Sequence, residues 1–136
     1  MTILFIDDDP DDRELFCEAA AYLNETELIS ISHNTINCLT ATNGSVAIKL
    51  IQNLETPPAL IFMDINMPIM GGEECLQLLK SSERYSGIPV IMLSTTCTEE
   101  QVRALKSMGA VDCIVKPTSF NALVKALSKY VYAKYF

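Results

Sequence analysis

Thr2-Ile3-Leu4-Phe5-Ile6-Asp7-Asp8-Asp9-Pro10 opens the chain on β-branched and aromatic residues and stops at three consecutive aspartates. A continuous apolar run of this kind predicts a strand buried on both faces, as in a parallel sheet covered by helices. The stop predicts a helix start. Asp9 suits the N-cap, Pro10 the first helical position, and Asp11, Asp12 and Glu14 the positive end of the helix dipole. Leu15, Phe16, Ala19, Ala20 and Leu23 then continue as an apolar helical stripe.

The same alternation recurs downstream. Residues 36–41 read as a second strand closed by Asn43-Gly44, followed by a helix with Val46, Ala47, Leu50, Ile51 and Leu54 as its stripe. A third strand at 59–63 ends at Asp64; Pro68 and Gly71-Gly72 form a loop before a helix bearing Cys75, Leu76 and Leu79. Residues 90–94 read as a fourth strand, and Thr98-Glu99-Glu100-Gln101 as a capping box opening a helix through Val102, Leu105 and Met108 that Gly109 ends. The fifth strand, 113–115, stops at Lys116-Pro117, and a last helix starts near Ser119 with Phe120, Leu123, Val124, Leu127 and Val131 inward. Residues 24–35 have no clean period and are left open between an extra helix and an inserted loop. Five β-then-α units predict one doubly wound α/β domain, a parallel sheet with helices on both faces, spanning residues 1–136.

Composition bounds the function. With 49% hydrophobic and 20% charged residues in 136, the chain is neither disordered nor fibrous. Its net charge of −7 disfavours nonspecific nucleic-acid binding. That charge is uneven, because residues 101–136 hold 6 basic side chains and 1 acidic one. The 5 cysteines are widely spaced without a C-x-x-C, which argues against a disulfide framework or zinc site and for a reducing compartment. No basic n-region precedes the first strand and no apolar run approaches membrane-spanning length, so a cytoplasmic protein without membrane association is expected.

In open parallel sheets, ligands bind beyond the carboxyl ends of the strands. The first polar residues there are Asp7 and Asp8, Asp64, Ser94 and Lys116. Three converging carboxylates need a proton, a counter-charge or a cation, and Mg2+ is a hard ion that takes such oxygens while keeping water and phosphate ligands. With charge so offset, Asp64 can act as a nucleophile toward phosphorus, and Lys116 and Ser94 can bind phosphoryl oxygens.

These residues carry a resemblance. Ile6-Asp7-Asp8-Asp9-Pro10, the run Asp64-Ile65-Asn66-Met67-Pro68-Ile69-Met70-Gly71-Gly72, Ser94 and Val115-Lys116-Pro117 together resemble a response regulator receiver domain, of the stand-alone chemotaxis-regulator type. Ala41-Thr42-Asn43-Gly44 and Met108-Gly109-Ala110 support the match. The resemblance implies a flavodoxin-like (βα)5 fold with strand order 2-1-3-4-5, an order the general rule for doubly wound folds already illustrates with a member of this family. It implies Asp64 as phosphoacceptor and Mg2+ held by Asp8, Asp64 and the Asn66 backbone carbonyl, with Asp7 supporting the metal through water. Ser94 and Lys116 would contact the phosphoryl group, and the Lys116-Pro117 bond would be cis, as is common in the family. It further implies a signalling domain that catalyses only its own phosphorylation and dephosphorylation. The donor would be a sensor histidine kinase or histidine phosphotransfer protein, and with no effector domain the output would pass to a protein partner.

Three features depart from the family pattern. Cys113 stands where the family carries an aromatic ring on strand five, Thr95 where a smaller residue is usual, and the 24–35 stretch is longer. Without the aromatic, switching is expected to pass through the backbone after Ser94. Rival readings are weaker. A haloacid-dehalogenase-type aspartyl phosphatase shares the D-x-D of Asp7 and Asp9 but not the residue type at Asp11. An EF-hand would need Gly where Asp12 stands, and a receiver-like interaction module that is never phosphorylated does not need Ser94 and Lys116. Tyr130, Tyr132, Tyr135 and Phe136 beside Lys125, Lys129 and Lys134 predict a C-terminal face with leftover aromatics, suited to an acidic partner or a homodimer.

Overall fold

The structure, a computed structural model, describes residues 1–135, the Tyr135 side chain excepted. The elements run β1 (Thr2–Ile6), α1 (Pro10–Asn24), α2 (Glu27–Ser32), β2 (Asn37–Ala41), α3 (Gly44–Gln52), β3 (Leu60–Asp64), α4 (Gly72–Lys80), β4 (Val90–Ser94), α5 (Glu99–Ser107), β5 (Asp112–Val115) and α6 (Phe120–Tyr135). All five strands pair in parallel in the order β2-β1-β3-β4-β5, the doubly wound flavodoxin-like arrangement. β1, β3 and β4 are almost wholly buried because helices cover both faces. Alternation along each strand divides the core in two. Ile3, Phe5, Phe62, Ile91 and Leu93 pack against α1 and α6, whereas Leu4, Ile6, Ile61, Met63, Val90 and Met92 face α3, α4 and α5.

Local chemistry sets the boundaries. Asp9 caps α1, its Oδ1 accepting from the Asp11 and Asp12 amides, with Pro10 in the first turn. The stretch left open is a two-turn helix, α2, seated by the buried Ile29 and closed by His33 in the left-handed region (φ 59°). Asn24 fixes its return to the sheet, bonding the Ile36 carbonyl (2.9 Å) and amide (2.7 Å) through its side-chain amide.

Several expectations are corrected. β2 starts at Asn37, Ile36 being a buried approach residue, and β3 starts at Leu60 and includes Asp64. Only Ala47 and Ile51 of the expected α3 stripe are fully buried, while Val46 is exposed, because nine residues offer the sheet a narrow face. No described peptide bond is cis, so Lys116-Pro117 is trans. Nor is Tyr130 a leftover aromatic: it is buried edge-on against Phe62, with its hydroxyl donating to Asp112 Oδ2 at 2.7 Å. Tyr132 packs partly against the same core; the Tyr135 side chain and Phe136 lie outside the described residues.

Candidate functional site

The carboxyl ends of the strands bring Asp7, Asp8 and Asp64 together, with one oxygen of each carboxylate within 4.8 Å of the others. Asp7 directly follows β1 and is wholly buried; its Oδ1 accepts the Asp9 amide at 3.0 Å, and its own backbone carbonyl accepts from Arg13 Nη1 at 2.8 Å. Asp8, by contrast, is exposed. Asp64 ends β3 nearly buried, with Oδ1 3.4 Å from the Asn66 amide.

Gly72 makes that placement possible. A Cβ there would come within 2.5 Å of the Asp64 carbonyl oxygen and 2.8 Å of Ile65 Cα, so the first turn of α4 lies directly on the phosphoacceptor candidate's backbone.

From β5, Lys116 reaches back across the edge of the sheet. Its Nζ lies 2.7 Å from Asp7 Oδ2, 3.0 Å from Asp12 Oδ2 and 3.2 Å from Asp64 Oδ2. Burial alone would lower the ammonium's pKa, but the bonds to Asp7 and Asp12 and the charges of Asp7 and Asp64 outweigh it and hold Lys116 above its ordinary value. Asp7 goes the other way from most paired carboxylates: burial pushes it above its ordinary value, against the pull of Lys116 and the Asp9 amide. Its Oδ2 is buried, and the Lys116 ammonium 2.7 Å away is its close partner among the described residues. Three carboxylates thus share one ammonium, with Asp8 beside them as a fourth acid. An oxygen-only donor set, a surplus of negative charge and a buried carboxylate oxygen whose close partner is that shared ammonium fit a hard divalent cation.

Ser94, the last residue of β4, is buried, and its hydroxyl is fully engaged. Oγ accepts the amides of Thr96 and Cys97 (both 3.2 Å) and donates to Gln101 Oε1 at 2.8 Å. Gln101 therefore departs from the expected capping box. Thr98 Oγ1 does accept the Gln101 amide at 3.2 Å, but the Gln101 side chain turns to Ser94 and Thr96 instead of the cap backbone. The loop between them holds Cys97 at φ 47°, with its thiol on the Cys113 carbonyl at 3.1 Å. Cys113 itself is buried in the core.

Sequence reasoning singled out Asp7, Asp8, Asp64, Ser94 and Lys116 as candidates, and the structure places them at the carboxyl edge of the sheet. It missed Asp12 as a partner of Lys116, having read it only as a helix-dipole acid. It also missed Gln101. The signal for Asp12 was its position one turn into the helix that starts at the site.

A family model described as "Response regulator receiver domain" matches residues 3–128. The chain is 31% identical over 128 residues to the probable C4-dicarboxylate response regulator DctR of Bacillus subtilis, covering 94% of this chain and 51% of that protein. It is 35% identical over 94 residues to a protein-glutamate methylesterase/protein-glutamine glutaminase of Methanococcoides burtonii, covering 68% of this chain and 25% of that one. The chain therefore spans about half or less of these relatives' length. Among solved structures it resembles chemotaxis response regulator CheY4 of Vibrio cholerae (TM-score 0.74, 25% identity, 94% of this chain and 96% of that one). The bacteriophytochrome response regulator AtBRR is similar too (TM-score 0.74, 25% identity, 99% and 94%). Receiver domains take phosphoryl groups from histidine kinases and use Mg2+ at an acidic pocket, and the strand-end aspartates supply such a pocket here. By its matched family model, its sheet order and these likenesses, the chain belongs to the response regulator receiver domain family, the phosphoacceptor module of two-component signalling.

Proposed function

We propose that Asp64 accepts the phosphoryl group and that Asp7, Asp8, Asp64 and the Asn66 backbone carbonyl hold Mg2+, with Ser94 and Lys116 binding the phosphoryl oxygens. The observation that carries this reading is the arrangement of Asp64 itself. Its carboxylate is nearly buried at a strand end, 3.2 Å from a lysine ammonium and within one cluster with two further acids. In the transfer, an Asp64 oxygen forms a bond to phosphorus as the donor's P–N bond breaks, and the departing imidazole takes a proton from solvent. Bound Mg2+ supplies charge neutralisation between the carboxylate and the incoming phosphoryl oxygens. Lys116 needs only to move from Asp64 Oδ2 to a phosphoryl oxygen to keep its charge paired. Ser94 has one hydroxyl proton and must take it from Gln101 to give it to the phosphoryl group.

The donor is a sensor histidine kinase or a histidine phosphotransfer protein, and the domain acts in the cytoplasm, catalysing only its own phosphorylation and dephosphorylation. No helix is long and apolar enough to cross a membrane among the described residues. All the described elements belong to one receiver fold without effector elements, so within these residues output leaves through a surface. A groove of about 590 Å³ between β5 and α6, lined by Val115, Pro117 and Ala126 with Lys116, Lys125 and Lys129, suits an acidic protein segment.

Incubation with acetyl phosphate and Mg2+, followed by intact-mass spectrometry, tests the reading. One phosphoryl mass should appear on the wild type and be absent from Asp64→Asn. Persistence of the adduct in that variant refutes the assignment.

A further inference from the structure

A pair of cysteines between α1 and β2 stands apart from the phosphoacceptor carboxylates and has no part in that chemistry. Cys17, in α1, and Cys38, in β2, are separated by 21 positions, yet their sulfurs lie 2.7 Å apart. Both are free thiols and both are half-buried, hence reachable by a small reagent. The pair sits where α1 covers the outermost strand, β2, which is the most exposed of the strands paired to β1. The other three cysteines are placed differently. Cys75 is buried within the opposite core, and Cys97 donates its thiol to the Cys113 carbonyl.

We propose that Cys17 and Cys38 are a redox-responsive pair that closes to an intramolecular disulfide, clipping α1 to the edge strand β2. The oxidant is a low-molecular-weight disulfide. One cysteine thiolate attacks its S–S bond, forming a mixed disulfide on the protein and releasing one small thiolate. The second cysteine thiolate then attacks the protein-side sulfur, forming the Cys17–Cys38 bond and releasing the second small thiolate. Two electrons pass to the oxidant, and the two protons lost by the protein thiols are taken up by the two leaving groups.

Burial and the neighbouring Cys17 thiol push the Cys38 thiol up, so closure is slow at neutral pH and faster in alkali. What closure would change is α2, which lies in the closed loop with Leu28 and Ile31 exposed (Ile31 at 67%) and Ile29 as its buried anchor. Closing that loop in the unfolded chain as well as the folded one favours the folded state.

The test uses the full chain equilibrated in glutathione buffers from fully reduced to fully oxidised, quenched with an alkylating agent and read by intact mass, peptide mapping and thermal melting. The expected product is a monomer lighter by two hydrogens, with Cys17 and Cys38 joined and Cys75, Cys97 and Cys113 alkylated. Its Tm should rise on the order of 10 °C. In Cys17→Ser or Cys38→Ser the remaining partner should carry a glutathione adduct instead and the Tm gain should be lost. Alkylation of both Cys17 and Cys38 throughout the wild-type series overturns the proposal. So does a Cys17 or Cys38 disulfide found only between chains, scaling with protein concentration. Phosphorylation of Asp64 is not an input to any arm, so the outcome is independent of the proposed function.

Discussion

Replacing Gln101 by alanine should ease the domain toward its phosphoryl-bound form. The Ser94 hydroxyl has a single proton, at present donated to Gln101 Oε1 over 2.8 Å, while two backbone amides occupy its acceptor side. For that proton to reach a phosphoryl oxygen on Asp64, the Gln101 bond must break. A neutral bond of this kind contributes about 0.5–1.5 kcal/mol. At roughly 1 kcal/mol its removal raises affinity for a beryllofluoride phosphoryl mimic in Mg2+ by about fivefold. Gln101→Glu should act in the opposite direction, since a charged acceptor holds a hydroxyl by about 1.5–3 kcal/mol, roughly 0.5–2 kcal/mol more than the neutral bond it replaces, lowering affinity by about two- to thirtyfold. Isothermal titration reads both, and the chain has no Trp to serve as a fluorescent reporter instead. The control is a double-mutant cycle: in a Ser94→Ala background the Gln101→Ala gain should disappear. A gain that survives undiminished without Ser94, or equal losses in the alanine and glutamate variants, refutes the reasoning.

Lys116→Met leaves Asp7, Asp12 and Asp64 without their shared ammonium and should destabilise the metal-free domain by about 2–3 kcal/mol at neutral pH. That is below the usual figure for a buried pair, because Lys116 and Asp12 are 14% and 27% exposed. Urea titration should show it, together with tighter Mg2+ binding, since the ammonium and the ion compete for the same oxygens; weaker binding contradicts the competition. Asp7→Asn should raise Tm by a few degrees without Mg2+ and lower it in saturating Mg2+. The folded-state pKa of Asp7 is raised, so its ionisation removes stability as pH rises above 3.8; the metal-free gain should be present at neutral pH and vanish below that value. Ile69, a β-branched residue at φ 68° and 85% exposed, should yield about 1 kcal/mol of stability on replacement by Asn, read by thermal melting, and no gain would deny the strain. Gly72→Ala should destabilise the domain and slow phosphorylation from acetyl phosphate together, because its Cβ meets the Asp64 backbone; normal phosphorylation kinetics in a stable variant would contradict this.

What the sequence disclosed follows from how far each signal reaches. β1, β3 and β4 are buried on both sides, so their runs are apolar at every position and end at the first polar residue, which is why Asp7, Asp64 and Ser94 could be read directly. Caps are equally local: Asp9, Thr98 and Ser119 accept the amides expected of them. Side chains with two local options were harder. Gln101 at the third position of its helix fits the capping box, but a buried serine hydroxyl from a neighbouring strand outcompetes the cap amide, and only the tertiary fold brings the two together. Helix α2 stayed open between helix and loop because six residues anchored by Ile29 leave too little periodicity to decide. Cys17 and Cys38 looked unrelated because α1 folds back over β2 to bring them together.

Lys116 arrives late in the chain. It lies 52 positions beyond Asp64 and on the last strand, whereas Asp7 and Asp12 belong to the first strand and helix. As synthesis proceeds from the N-terminus, β1, α1 and β3 are available to assemble before the counter-charge exists. Until β5 adds to the edge of the sheet, the acids at the strand ends have no ammonium to offset their mutual repulsion. Docking of the last strand is therefore an electrostatic event as well as a hydrophobic one. Divalent cations in the surrounding solution can stand in for the ammonium during that interval, so the final step of folding should run faster in Mg2+ than in a chelator.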